Sequence, residues 1–223
     1  MASEVGICNM ALSKIRAGSI NSLTEASLQA QQCKLWYPFC RDFLLEDNPW
    51  GFATKIAPLA VLGSEDIHNW VYVYQYPSDC LYIERLILNY ERYDSDVTTN
   101  TGALRHRLIE DLYTPDLGAQ VRYEIFNVEE PNGKVIAANE PELLIEYRFR
   151  VTDPNRFTMA FIEALAAYLA SKIAIAIVGA ELGRQFRKDA LDEYVMLLSA
   201  AVSNSKNEEY IEPVDSDFIL VRA

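Results

Sequence analysis

The chain has 223 residues, 50% hydrophobic and 23% charged, so a folded chain is expected rather than a disordered one. Twenty Lys and Arg stand against 32 Asp and Glu, a net charge of −12. That argues against a protein that grips nucleic acid by its phosphates, which needs a basic face, though not against one that nucleic acid passes without sticking.

The opening MASEVGICNMALSK lacks the basic start and long apolar core of a secretory signal. It reads instead as a helix, because Val5, Cys8, Leu12 and Ile15 make one stripe at spacings of three and four. Ser3 suits its N-cap, and Gly18 sits where a left-handed C-cap would. Ser22-Leu23-Thr24-Glu25 then has the spacing of a capping box. A second helix is expected over residues 26–47, with Leu28, Cys33, Leu35, Trp36, Phe39, Phe43 and Leu44 apolar. Pro38 should kink or split it, and Asn48-Pro49 should end it. Four cysteines, Cys8, Cys33, Cys40 and Cys80, form no CxxC pair. On one helix Cys33 and Cys40 would lie roughly 10 Å apart, too far for a disulfide, so reduced buried thiols in a cytoplasmic product are expected.

The middle of the chain reads as sheet. Residues 70–76 (WVYVYQY) and 81–88 (LYIERLIL) are strand candidates joined by Pro77-Ser78-Asp79. Residues 121–128 and 134–138 flank Pro131-Asn132-Gly133, a hairpin signal, and 143–150 (LLIEYRFR) is a further strand. Residues 89–118 are polar and read as loop plus a short strand. Tyr72, Tyr74 and Tyr76 share one strand face, with Val71 and Val73 on the other. A tyrosine face is unusual against water. It fits either a subunit interface or a sheet covered on both sides within one copy.

Helix returns at Asp153, a suitable N-cap, and Pro154, a suitable first position. Phe157, Phe161, Ala164, Leu165, Tyr168, Leu169 and Ile173 form a wide apolar face. The apolar run 159–180 carries Glu163 and Lys172 and is rich in Ala, so it reads as a buried helix rather than a membrane span. Gly179 or Gly183 should break it before a last helix over 182–203, with Phe186, Leu191, Tyr194, Leu197 and Leu198 inward. Residues 206–223 are acidic, lack a helical period and end in Phe218-Ile219-Leu220-Val221. They read as an extended arm whose apolar tip needs a partner, with Tyr210, Ile211, Phe218, Ile219, Leu220 and Val221 as docking residues.

The expected fold is α+β: a discontinuous helical bundle of N- and C-terminal helices (1–55 and 152–205), an inserted antiparallel β domain (56–151) and a C-terminal arm (206–223). Signals for chemistry are sparse. There is no GxSxG, HExxH, P-loop or GxGxxG. The only histidines, His68 and His106, have no second His or Cys close by, which makes a zinc site improbable; no metal or cofactor is expected. A Cys80–histidine nucleophile, or a carboxylate pair such as Glu129-Glu130 or Glu110-Asp111, would be the starting point for an enzyme. A structural thiol and a solvated loop face are the plainer readings.

Several stretches resemble one family. Ile7-Cys8-Asn9-x-Ala11-Leu12 opens the set, and Cys33-x-x-x-Tyr37 leads through Arg41-Asp42-x-x-Leu45 to Pro49-Trp50-x-Phe52-Ala53. Tyr72-x-Tyr74-x-Tyr76-Pro77-x-Asp79-Cys80-Leu81 follows. Tyr147-Arg148-x-Arg150-Val151-Thr152-Asp153-Pro154-x-x-Phe157 and Phe161-x-x-Ala164-Leu165-Ala166 complete it. In order and spacing, over residues 1–205, these resemble the tail tubular protein A family, the head-to-tail adaptors of short-tailed bacteriophages. The resemblance implies a structural virion protein at the tail neck, made in the host cytoplasm. It implies a ring of about twelve copies beneath the portal protein, continuing the channel toward the tail nozzle protein, with DNA passing through without specific binding. Trp50 and Phe52 are then expected to wedge the junction of helical and β parts, Arg41-Asp42 to orient it, and Tyr72, Tyr74 and Tyr76 to serve subunit or domain contacts. A cell-wall-degrading virion enzyme and another minor tail subunit are the alternatives.

Overall fold

The computed structural model describes residues 2–63, 69–88, 121–128 and 133–207, without the side chains of 202–207. The chain divides into two units, one drawn from Met1–Phe52 and the chain from Asp153 on, the other from Ala53–Thr152. The first is helical and the second holds antiparallel sheets, so the fold is α+β with the β unit inserted between N- and C-terminal helices.

In the helical unit, α1 (Glu4–Lys14) starts at Ser3, whose hydroxyl accepts from the Gly6 N–H at 3.0 Å. It does not end at Gly18. Arg16 takes the left-handed conformation (φ 56°), and the bonds Arg16 N–H to Ser13 O and Ala17 N–H to Leu12 O close a Schellman cap four residues from α1's buried Leu12. Asn9 then pins the returning chain by bonding both the carbonyl and the N–H of Ile20.

Helix α2 (Leu28–Asp47) is capped by Ser27, which accepts from Ala30 N–H, not by Ser22. The Ser22–Glu25 turn forms, but Glu25 bonds the Asn21 N–H and the chain turns again before helix begins. That bond holds the Glu25 carboxyl below its usual range. The helix runs through Pro38 unbroken and stops at Asn48.

Asp153-Pro154 starts only a short 3-10 turn, Pro154–Arg156, in which Asp153 accepts from Asn155 N–H. The long helix α3 (Met159–Val178) starts later at Thr158, which accepts from Phe161 N–H. It is long and apolar enough to cross a membrane by length and composition, yet most of it is buried within the unit, against α1, α2 and α4 (Ala180–Asn207). Gly179 makes the break, at φ 95°. Gly183 does something else: a Cβ there would come within 2.8 Å of Ile175 Cα, so its hydrogen lets α4 lie directly on α3.

The β unit holds two antiparallel sheets among the described residues. One has the order β1 (Thr54–Pro58), β7 (Leu143–Phe149), β4 (Cys80–Leu88). The other has the order β2 (Val61–Gly63), β3 (Tyr72–Gln75), β6 (Gly133–Ala138), β5 (Tyr123–Val128). Neither β1 nor β2 is expected from the sequence. The chain changes sheets at Leu59-Ala60: Leu59 N–H bonds Leu143 O, and Ala60 O accepts from Gln75 N–H. Tyr74, Ile136 and Ala138 of one sheet share a core with Ile83, Leu86, Ile145 and Tyr147 of the other. The β5–β6 register, Val128 opposite Gly133, is that of a hairpin.

Candidate assembly surfaces

The family-like residues interlock within each unit. In the helical unit the indole Nε1–H of Trp50 donates to Leu44 O at 2.8 Å, tying the chain after Pro49 back onto the last turn of α2. The Trp50 ring meets Phe161 edge-on at 5.0 Å, and Phe52 and Phe157 lie 5.3 and 4.7 Å from the same Phe161 ring. Trp50 is only 3% exposed. It anchors the helical core and offers no surface to a second copy. Phe52 is half-buried beside it. Arg41 is buried and holds its neighbour Asp42 through Nε and Nη2, both at 2.8 Å.

In the β unit the knot is Asp79. Its carboxylate accepts from Tyr147 OH at 3.0 Å and pairs with Lys55 Nζ at 2.6 Å, while its carbonyl accepts from Arg150 N–H at 2.8 Å. Lys55 also lies over the rings of Tyr147 and Phe149. Burial pushes the Asp79 carboxyl up, but the bonds from Lys55 and Tyr147 outweigh it and hold the group below its usual range. Lys55 carries no motif signal, since its partners are 24 and 92 residues away; only the fold reveals it.

The tyrosine strand faces inward. Tyr74 is 0% exposed, with its hydroxyl donating to Glu140 O, and burial pushes it up to about 12. A second copy cannot reach it, so its interface reading is corrected. Tyr72 and Tyr76 pack partly buried against the same core. Val73, on the other face, is also buried, whereas Val71 is exposed.

The chemical candidates stay apart. His68, His106, Glu110, Asp111, Glu129 and Glu130 lie outside the described residues, as do Tyr210, Ile211, Phe218, Ile219, Leu220 and Val221 of the arm. Cys80 is partly buried, and burial pushes its thiol up, away from the thiolate a nucleophile needs. Cys8, Cys33 and Cys40 are buried in the helical unit. The bond between Cys8 and Cys33, with burial, keeps Cys8 protonated, and burial pushes Cys40 up to about 12. Among the described residues no group of three His, Cys, Asp or Glu could hold a metal. A recess of about 340 Å³ in the β unit is lined by Leu62, Gln75, Tyr76, Lys134 and neighbours, with no acid, histidine or thiol among them.

Part of what the helical unit presents outward is apolar. Helix α2 carries two apolar stripes. Cys33, Tyr37, Cys40 and Leu44 face the core. Leu28, Leu35, Phe39 and Phe43 face out, with Leu35 63% and Phe39 60% exposed. Trp36 packs edge-on against Phe39. A helix apolar on opposite sides has one face more than its own core uses. On α4, Val195 and Met196 are 61% and 73% exposed. Phe43 stacks on Tyr168 of α3 at 5.1 Å, and Tyr168 packs on Tyr194 of α4 at 5.0 Å, so one aromatic chain links the three helices.

No protein-family model matches the chain, and no curated protein matches it.

Proposed function

We propose that the chain is a structural virion protein, an adaptor whose copies form a ring of about twelve between the portal and the tail nozzle of a short-tailed phage. The observation that carries this reading is the outward apolar stripe of α2, on a unit whose core is already filled by α3. Such a face is typical of a protein whose work is contact with other protein surfaces. The motif set that resembles the tail tubular protein A family supports the same reading, and its residues serve as packing and pinning groups in both units. A net charge of −12 suits a conduit, because an acidic wall repels DNA phosphates rather than holding them. In this proposal the acidic segment 206–223 docks on a neighbouring ring through its apolar tip.

Antibody labelling of intact particles tests the proposal. Label at the neck, between capsid vertex and tail tip, is the expected result. Label along the tail, or particles that lack the protein, would overturn it.

A further inference from the structure

We propose that Cys8 of α1 and Cys33 of α2 are a redox-sensitive staple, closing to a disulfide that ties the two helices together when the chain meets a small disulfide oxidant. The inference concerns the helical unit alone and stands whether or not the chain builds a ring. Both thiols are free and both are 0% exposed. Cys8 belongs to the buried side of α1 with Ile7, Ala11 and Leu12, and Cys33 to the buried side of α2 with Tyr37 and Cys40. The two helices are in contact, and the two thiols share a hydrogen bond across them. Cys40 lies two turns along α2 from Cys33, roughly 10 Å, too far for a bond within that helix. Cys80 belongs to the other unit.

The shared bond makes the pair unequal. Cys8 is held protonated, and its bond to Cys33 lowers the Cys33 thiol, so Cys33 is the attacking sulfur. Against a small disulfide such as oxidised glutathione, the Cys33 thiolate attacks one sulfur, forms a mixed disulfide and expels one glutathione thiolate. Cys8 gives its proton to that leaving thiolate, then attacks the Cys33 sulfur and expels the second glutathione. Two protein thiols and one small disulfide become one protein disulfide and two small thiols; the protein is oxidised and the glutathione reduced. A reducing cytosol keeps such a pair open, and an oxidising exterior closes it.

Burial sets the rate. The oxidant reaches the pair only when α1 lifts from α2. Helix α1 has 11 residues, too few to persist without its packing, so this opening is a local event rather than global unfolding. Closure then abolishes it. The loop from Cys8 to Cys33 holds the cap at Arg16, the Asn9–Ile20 pin and the Ser22–Glu25 turn, all of them between the stapled ends.

The test uses the full chain with Cys80→Ser, which leaves three thiols and keeps the partly buried one from reacting. The chain is held folded in a glutathione redox buffer, and in parallel refolded from urea in the same buffer so that access is not limiting. Trypsin places Cys8, Cys33 and Cys40 in separate peptides, 1–14, 17–34 and 35–41. The expected product joins 1–14 to 17–34 within one chain, slowly in the folded sample and fully in the refolded one, with Cys40 still alkylatable. Its Tm should rise by about 10 °C and return with dithiothreitol. Cys8→Ala should remove the oxidant-dependent shift, whatever its own melting temperature. Three free thiols after refolding, a link through 35–41, a link between chains, or a cross-linked chain that melts no higher than the reduced one would each overturn the staple.

Discussion

Trp50→Phe separates a core role for this residue from an intermolecular one. The change keeps an aromatic ring but deletes the Nε1–H that bonds the buried Leu44 carbonyl at 2.8 Å. Losing that bond costs about 1 kcal/mol net, more where the carbonyl is left without a replacement. The smaller ring also loosens the edge-on contact with Phe161 and the tilted one with Phe52, adding about 1–2 kcal/mol of cavity and packing loss. The sum is about 2–3 kcal/mol, and for a chain of this size that lowers Tm by about 5–10 °C. The assay is thermal unfolding of the isolated chain followed by helical circular dichroism, at a concentration too low for assembly. An unchanged melting curve together with lost assembly would refute the core assignment and make Trp50 a contact between copies.

Other expectations follow from the same packing. Gly183→Ala should destabilise the helical unit by about 1–2 kcal/mol, because the close atoms are Ile175 Cα and the Ala174 carbonyl, which cannot swing aside, and overpacking outweighs the ~1 kcal/mol gain in helix propensity; a more stable variant in denaturant titration would contradict that close approach. The Asp79 carboxyl is held below its usual range in the folded chain, so its stabilisation is present above its unfolded pKa near ~4 and is lost as pH falls through the folded value. Asp79→Asn should therefore flatten the acid side of the stability profile of the β unit, and an identical slope in both proteins would remove Asp79 from that account. A thiol reagent should reach Cys80 in the native chain and the other three only on unfolding; rapid reaction of all four would contradict the burial of Cys8, Cys33 and Cys40. Electrophoretic mobility shift at moderate salt should detect little DNA binding, and a tight salt-sensitive complex would contradict a repulsive conduit.

The helical elements were legible because their signals are local. The α1 stripe, the apolar length of α3 and the Asn48-Pro49 stop each depend on residues within a turn or two. Their starts were less so. Ser22 and Ser27 are both competent caps, and Glu25 spends its carboxylate on Asn21 rather than on a helix start. Asp153-Pro154 likewise sets a 3-10 turn, and Thr158 opens the helix. Strands β1 and β2 went unread because they are short, and Pro58 ends β1; each exists through a distant partner, β7 or β3. Alternation on β3 separated tyrosines from valines without saying which faced inward; that was decided when a second sheet closed over the tyrosine side. Lys55 had no signal because its partners, Asp79 and Tyr147, belong to other strands and turns. The two stripes of α2 were visible as one long apolar list. Only packing against α3 separates Cys33, Tyr37, Cys40 and Leu44 from the outward Leu28, Leu35 and Phe39, with Phe43 at the edge, part-exposed and stacked on Tyr168.

The central claim is a ring through which DNA passes. Electron microscopy of neck complexes extracted from particles, with copy number from native mass, tests it most directly. The account predicts a closed ring of about twelve copies of this chain around an open axis wide enough for duplex DNA. One or a few copies with no continuous ring, or a ring with a blocked axis after DNA release, would contradict it.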